Sequence, residues 1–315
     1  MSCGYRSLRD ISRDHTVMFF IVGSARSGTT LMRIVLNAHS DIAVPPESRF
    51  VVELYDGADT VPIEETLQAL AAHRRFQTWE LPIEAVRAHL GDRSIAPFGE
   101  VMTAAYRAYA AEREKSRWGD KTPRYIERIP LLAKLFPEAR FIQIVRDGRN
   151  VALFYVDVPF GPKTVARAAA LWANRVSTGM AAGRALGRER YLEVFYEEFV
   201  TDPEPQLKEI CDFIKAPFEA EMLEYHDRSH EEVLGRAARY NPRVTQKPIA
   251  EVRSWSEQMP ARQVEIFEAV AGDVLSRLGY PRRYPNPRPW ARVAGELGRL
   301  PWPRGLRRSW ARRTR

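Results

Sequence analysis

The sequence predicts an α/β fold, a parallel sheet flanked by helices and carrying a helical insertion. Three observations lead there. Short apolar runs recur at residues 17–22, 141–145 and 191–195, with the length of strands buried inside a sheet. Each is followed by a polar turn and then by a stretch with helical apolar spacing, the order of a strand–turn–helix unit. The chain has 315 residues, enough for one large domain with insertions or two smaller ones.

The first unit is the most informative. Residues 18–33 read MFFIVGSARSGTTLMR. Six apolar residues, 17–22, lead into the small-residue loop Gly23-Ser24-Ala25-Arg26-Ser27-Gly28-Thr29-Thr30. Leu31, Ile34, Val35 and Ala38 then fall on one helical face. This arrangement aims backbone N–H groups and a helix N-terminus at an anion. The loop is P-loop-like: Gly23 and Gly28 keep the spacing of G-x-x-x-x-G-K-[ST], but Thr29 stands where the nucleotide triphosphatase lysine belongs. That loss argues against ATP or GTP hydrolysis. The amide cradle and two hydroxyls remain, and Arg26 adds a cation, so the pocket suits a short 5′ anionic chain. A loop of this kind alone indicates a phosphate and no more; a plain glycine turn is its bland alternative.

Further along, residues 41–44 read as a short strand stopped by Pro45-Pro46, with Glu47, Ser48 and Arg49 immediately beyond. Residues 60–115 read as mostly helical, three amphipathic segments broken by Pro62, Pro82 and Pro97. They form an insertion expected to border the active site. Trp118-Gly119-Asp120-Lys121-Thr122-Pro123 reads as a compact polar turn ahead of a helix through Ile126, Ile129, Leu132 and Leu135. The strand at 141–145 ends at Arg146-Asp147-Gly148-Arg149-Asn150, placing cations at a carboxyl end, the edge where open α/β sheets bind ligands. A long helix over 164–186 precedes the strand at 191–195, and a helix follows over 203–215.

Composition excludes several classes. Two cysteines, Cys3 and Cys211, supply neither a disulfide framework nor a metal-ligand pattern, so a reducing cytoplasm is expected. No apolar run reaches the ~18–20 residues of a spanning helix. The first fifteen residues lack the apolar core of a signal peptide. The net charge of +8 is uneven: residues 281–315 hold eleven arginines and one acid, 11 − 1 = +10, leaving 8 − 10 = −2 for the remainder. The chain therefore divides into a domain over 1–286 and a basic tail over 287–315. Tryptophan and leucine interleaved with arginine fit a tail lying on an anionic inner membrane face; the alternative is a solvated extension. The tail has no aromatic or zinc framework for reading bases, so no specific nucleic-acid partner is expected.

Four segments, GSARSGTTLMR, WGDKTPR, FIQIVRDGRNV and LEVFYEEFVTDP, resemble the sulfotransferases that use 3′-phosphoadenosine-5′-phosphosulfate (PAPS). A weaker echo, VTQKPIAEVRSW, extends the resemblance to Trp255. ARSGTTLMRIVLNAHSDIAVPPESR is most similar to the tyrosylprotein branch and its bacterial relatives. The resemblance implies the sulfotransferase fold, a hydroxyl acceptor and no metal. It implies that Arg26, Ser27, Gly28, Thr29 and Thr30 hold the 5′-phosphosulfate and that Arg146 binds the 3′-phosphate, helped by Arg149 or Lys247. Where the family has a serine eight residues after that arginine, this chain has Phe154. Glu47, twenty-one residues after Arg26, matches the catalytic glutamate of the tyrosylprotein enzymes. As a carboxylate beside Pro45 and Pro46 it is expected to have a raised pKa and to act as general base; it could instead face water near a helix start. His39 competes for that role, although its place at a helix end suits a cap. Lys121 matches the lysine bearing on the bridging oxygen. Trp118 is an adenine partner or a core aromatic, and Tyr196 lies near the adenine or is simply buried. Two other functions stay open: a nucleoside or small-molecule kinase, and a non-catalytic nucleotide-binding or membrane-surface module.

Overall fold

The computed structural model describes residues 17–156, 161–225 and 254–299. The chain begins with β1 (Phe19–Gly23), α1 (Thr29–Asn37), β2 (Ile42–Ala43) and the short α2 (Phe50–Glu53). The insertion follows as β3 (Thr60–Pro62), α3 (Ile63–Ala72), α4 (Arg74–Gln77), α5 (Ile83–Ala88), β4 (Ile95–Pro97) and α6 (Phe98–Ala111). Next come β5 (Arg117–Lys121), a 3₁₀ segment Pro123–Arg128, α7 (Ile129–Leu135), β6 (Arg140–Val145), α8 (Gly148–Val156) and α9 (Val165–Leu186). The described chain closes with β7 (Tyr191–Phe195), α10 (Tyr196–Thr201), α11 (Pro203–Phe213), α12 (Trp255–Gln258), α13 (Ala261–Arg277) and α14 (Pro289–Arg299).

Five strands form one sheet in the order β2-β5-β1-β6-β7, every neighbouring pair parallel. Alternation along β1 divides the core. Phe20 and Val22 face the insertion, with Phe20 stacked on Phe141 at 5.3 Å. Phe19 and Ile21 face α1 and α11, among Leu31, Ile34, Val35 and Ile210. A third cluster joins α8, α9 and α13 through Val151, Trp172 and Phe267. Each parallel connection needs a crossover, and the helices supplying them cover both faces.

Two sequence expectations change. The polar stretch 118–121 is not a turn but most of β5, a strand lying between β2 and β1. Its polar residues are accommodated individually: Gly119 lies against the ring of Phe19, where a Cβ would come within 2.3 Å, and Asp120 accepts a hydrogen bond from Tyr106 Oη at 2.8 Å. The insertion is not wholly helical either. β3 and β4 pair antiparallel, Pro62 and Pro97 ending the strands and preceding α3 and α6, which a proline's fixed φ and missing N–H permit. The basic C-terminal segment begins as α14, packed on α13 and α9.

Arg149, expected to assist at the 3′-phosphate, is instead fully buried in an ion cluster. It reaches Asp147 Oδ2 at 2.7 Å and Glu268 Oε1 at 2.6 Å, beneath the ring of Trp255. Glu268 also accepts the backbone N–H groups of Arg283 and Tyr284, tying the C-terminal segment to the β6–α8 turn. Arg149→Met should strand two buried carboxylates and lower stability by about 3–5 kcal/mol in urea unfolding. An unchanged midpoint would show that the cluster does not hold the C-terminal segment.

Candidate active site

Parallel pairing brings the carboxyl ends of the strands to one edge. Gly23 pairs with Ile144, Ile21 with Lys121, and Val145 with Phe195. The loop after β1, Lys121, Arg146 and Tyr196 therefore converge.

The loop is held open by its backbone. Gly28 has φ 100°, and a Cβ there would come within 2.3 Å of the Tyr196 ring. Arg26 adopts φ 75°, a left-handed conformation that L-residues seldom occupy. Ser27 N–H closes the turn on Ser24 O at 3.2 Å. Its hydroxyl is buried and has no hydrogen-bond partner among the described residues. No side chain caps α1, so the donors of its first turn, Thr29 and Thr30, carry the partial positive charge of a helix start. These residues fit a phosphate-bearing ligand.

Arg146 is the second cationic element. It is 4% exposed, and its Nε has no hydrogen-bond partner among the described residues. Its guanidinium lies 4.2 Å from the Tyr196 ring centroid and 5.1 Å from that of Phe154, while Nη1 reaches Arg26 O at 3.4 Å. Arg26 faces the same Phe154 ring at 4.9 Å. Burial lowers the pKa of Arg146, with Tyr196, Glu197 and Asp147 partly opposing it. A buried cation in this condition is matched to an anionic ligand.

Glu47 and Lys121 meet at 3.1 Å. The Glu47 segment is fastened from four directions. Asn37 binds both N–H and C=O of Val44, and Arg33 Nη1 also donates to Val44 O. Trp79 of the insertion donates to Pro46 O at 2.9 Å. Ser48 donates its N–H to Thr122 Oγ1 at 3.1 Å, and its hydroxyl lies 2.8 Å from Tyr125 Oη. Beneath them, burial pushes the Asp120 carboxyl up to about 6.

The expected rise in the Glu47 pKa does not occur. Burial raises it, but Lys121, with Arg75 and Arg49, more than offsets that effect and holds the carboxyl below its ordinary value. Burial also lowers the Lys121 ammonium pKa, against the pull of Glu47. Each group thus favours the charged form of the other across the 3.1 Å contact.

Other expectations sort cleanly. Tyr196 lies at the same sheet edge, its ring against Gly28 and Arg146. Trp118 belongs to the core beside the insertion, with Arg107 over its ring. His39 is a structural clamp: Nε2 lies 2.8 Å from Pro217 O, and Nδ1 accepts from Asp41 N–H. Lys247 lies outside the described residues. Sequence reasoning missed the fastening residues Arg33, Asn37, Ser48, Trp79 and Tyr125. Arg33 and Asn37, four apart on a mostly apolar helix, were a readable signal; Trp79 left none.

Residues 19–220 match the Sulfotransferase family and residues 168–279 a sulfotransferase domain. A protein-tyrosine sulfotransferase from Drosophila melanogaster is 27% identical over 294 residues, covering 87% of this chain and 54% of the fly protein. The chain thus spans about half the length of that relative. The nodulation protein NoeE of Sinorhizobium fredii is 26% identical over 300 residues, covering 86% of this chain and 68% of its own length. Among solved structures, a sulfotransferase domain from the curacin biosynthetic pathway superposes with a TM-score of 0.58 at 22% identity, covering 86% of this chain and all of that domain. The family match spans residues 19–220, well over half of the chain, and the chain belongs to the sulfotransferase family.

Proposed function

We propose that the chain transfers the sulfuryl group of PAPS to a hydroxyl acceptor, with Glu47 as general base. The observation that carries the reading is the convergence, at one sheet edge, of a phosphate cradle, a separate buried arginine and the Glu47–Lys121 contact at 3.1 Å. The cradle from Arg26 to Thr30 holds the 5′-phosphosulfate. Arg146 takes the 3′-phosphate, and Tyr196 packs beside it. An acceptor oxygen forms its bond to sulfur as the sulfur–bridging-oxygen bond breaks, and adenosine 3′,5′-bisphosphate departs. Glu47 receives the acceptor proton, and Lys121 neutralises charge gathering on the leaving phosphate. Positioning supplies much of the rest, because sulfuryl transfer proceeds in line between two oxygens.

Calorimetric titration separates this from a kinase. Adenosine 3′,5′-bisphosphate should bind more tightly than ATP, and a preference for ATP with Mg²⁺ would reverse the assignment. Arg146→Ala should weaken the bisphosphate by about 1.5–3 kcal/mol, roughly ten- to a hundredfold. A ligand lacking the 3′-phosphate should lose much less, which controls for the packing that Arg146 provides. Equal losses for both ligands would show that Arg146 does not read the 3′-phosphate.

A further inference from the structure

Three large apolar side chains are exposed among the described residues: Ile95, Val293 and Leu297. The last two, 56% and 59% exposed, lie four residues apart and share one face of α14. The opposite face is made of small residues and is fully used. Ala291 is buried, Gly295 sits on Val270 of α13, and Gly298 sits on Ala166 of α9. Packing thus leaves the two largest aliphatic side chains of the helix pointing outward. Arg292 and Glu296 share the exposed side, and six arginines without an acid follow in residues 300–315, alongside Leu300, Trp302, Leu306 and Trp310.

The placement of α14 adds a direction. α9 runs antiparallel to the strands, with Trp172 hydrogen-bonded to Arg146 O at the carboxyl edge and Gly183 beside Tyr191 at the start of β7. Thr164, which caps α9, accordingly stands about 12 Å beyond that edge by helical rise. Thr164 Oγ1 donates to Gly298 O at 3.1 Å. The C-terminal end of α14 is therefore on the same side of the sheet as the site, and the arginine-rich sequence continues from there.

We propose that the outward face of α14, with the basic sequence after it, is a docking surface for an anionic phospholipid bilayer. Val293 and Leu297 enter the headgroup–acyl boundary while arginine guanidiniums pair with lipid phosphates. The chemistry favours lipid over RNA because the exposed face is aliphatic: a polyanion rewards the arginines but gains nothing from Val293 and Leu297.

The test uses the full chain and requires no turnover. Co-sedimentation is measured with phosphatidylcholine vesicles with and without about one-third phosphatidylglycerol, at about 20 mM and about 150 mM salt. The protein should bind the anionic vesicles, and Val293→Ser/Leu297→Ser should weaken binding roughly tenfold at both salts. Both positions are exposed, so the double variant should keep wild-type unfolding and wild-type titration with adenosine 3′,5′-bisphosphate. A second variant ending at residue 299 should lose most of the salt-sensitive part. Binding unchanged by the double substitution would overturn the proposal, as would equal binding to neutral vesicles. So would RNA binding that competes fully with vesicles and ignores Val293 and Leu297.

Discussion

Glu47→Ala should lower kcat by roughly 10²–10⁴-fold while leaving the affinity for adenosine 3′,5′-bisphosphate close to wild type. The split follows from where Glu47 stands. It faces Lys121 across 3.1 Å, and its segment is fastened by Asn37, Arg33, Trp79 and Ser48 rather than by the phosphate cradle. The proposed nucleotide contacts belong to other strand ends. Single-turnover rates with bound PAPS would isolate the chemical step from product release. Turnover at the wild-type rate would remove Glu47 as the base, and the clamped His39 would then be a poor substitute, since both its ring nitrogens are already engaged.

The second large effect concerns Lys121. Lys121→Met should reduce kcat roughly 10²–10³-fold, the scale on which one group stabilising transition-state charge contributes. It should also move the pH profile. A base works when deprotonated, so activity falls as pH drops through its pKa. Burial raises the Glu47 pKa, and Lys121 is the foremost influence opposing it. Without the ammonium the pKa rises, and the acid limb of kcat/KM shifts to higher pH. The reciprocal change has the opposite sign at the other limb. In Glu47→Gln, burial acts on Lys121 without its main counterweight, so the ammonium loses its proton at lower pH and any residual activity fades earlier on the basic side. An acid limb unmoved by Lys121→Met would show that the two groups do not titrate as partners.

The parts legible in the sequence were those whose signal is local. β1, β6 and β7 are short apolar strands, and the loop of residues 23–30 announces itself by its glycines and hydroxyls. Central strand β5 was hidden because its composition is that of a turn. Gly119, Asp120 and Lys121 become strand residues only through partners at a distance: Phe19, Tyr106 and Glu47. The same holds for Arg149. Its neighbour Asp147 was visible, but Glu268, 119 residues away, turns a cation at a strand end into an anchor for the C-terminal segment. The β3–β4 pairing went unseen because the prolines ending the two strands read as helix boundaries alone, though they serve both roles. Site electrostatics were least legible: whether burial or neighbouring charge dominates at Glu47 depends first on Lys121, 74 residues away, and then on Arg75, contributed by the insertion.

Phe154 is a surface that the two arginines of the site share. The guanidiniums of Arg26 and Arg146 both lie over its ring, at 4.9 and 5.1 Å from the centroid. Each cation gains from the ring's face, and neither can close on its neighbour's anion without leaving it. On the proposed reading the two cations take the two anionic ends of one ligand, so the spacing of those ends decides the fit, and a triphosphate, with its charge gathered at one end, meets only one of them.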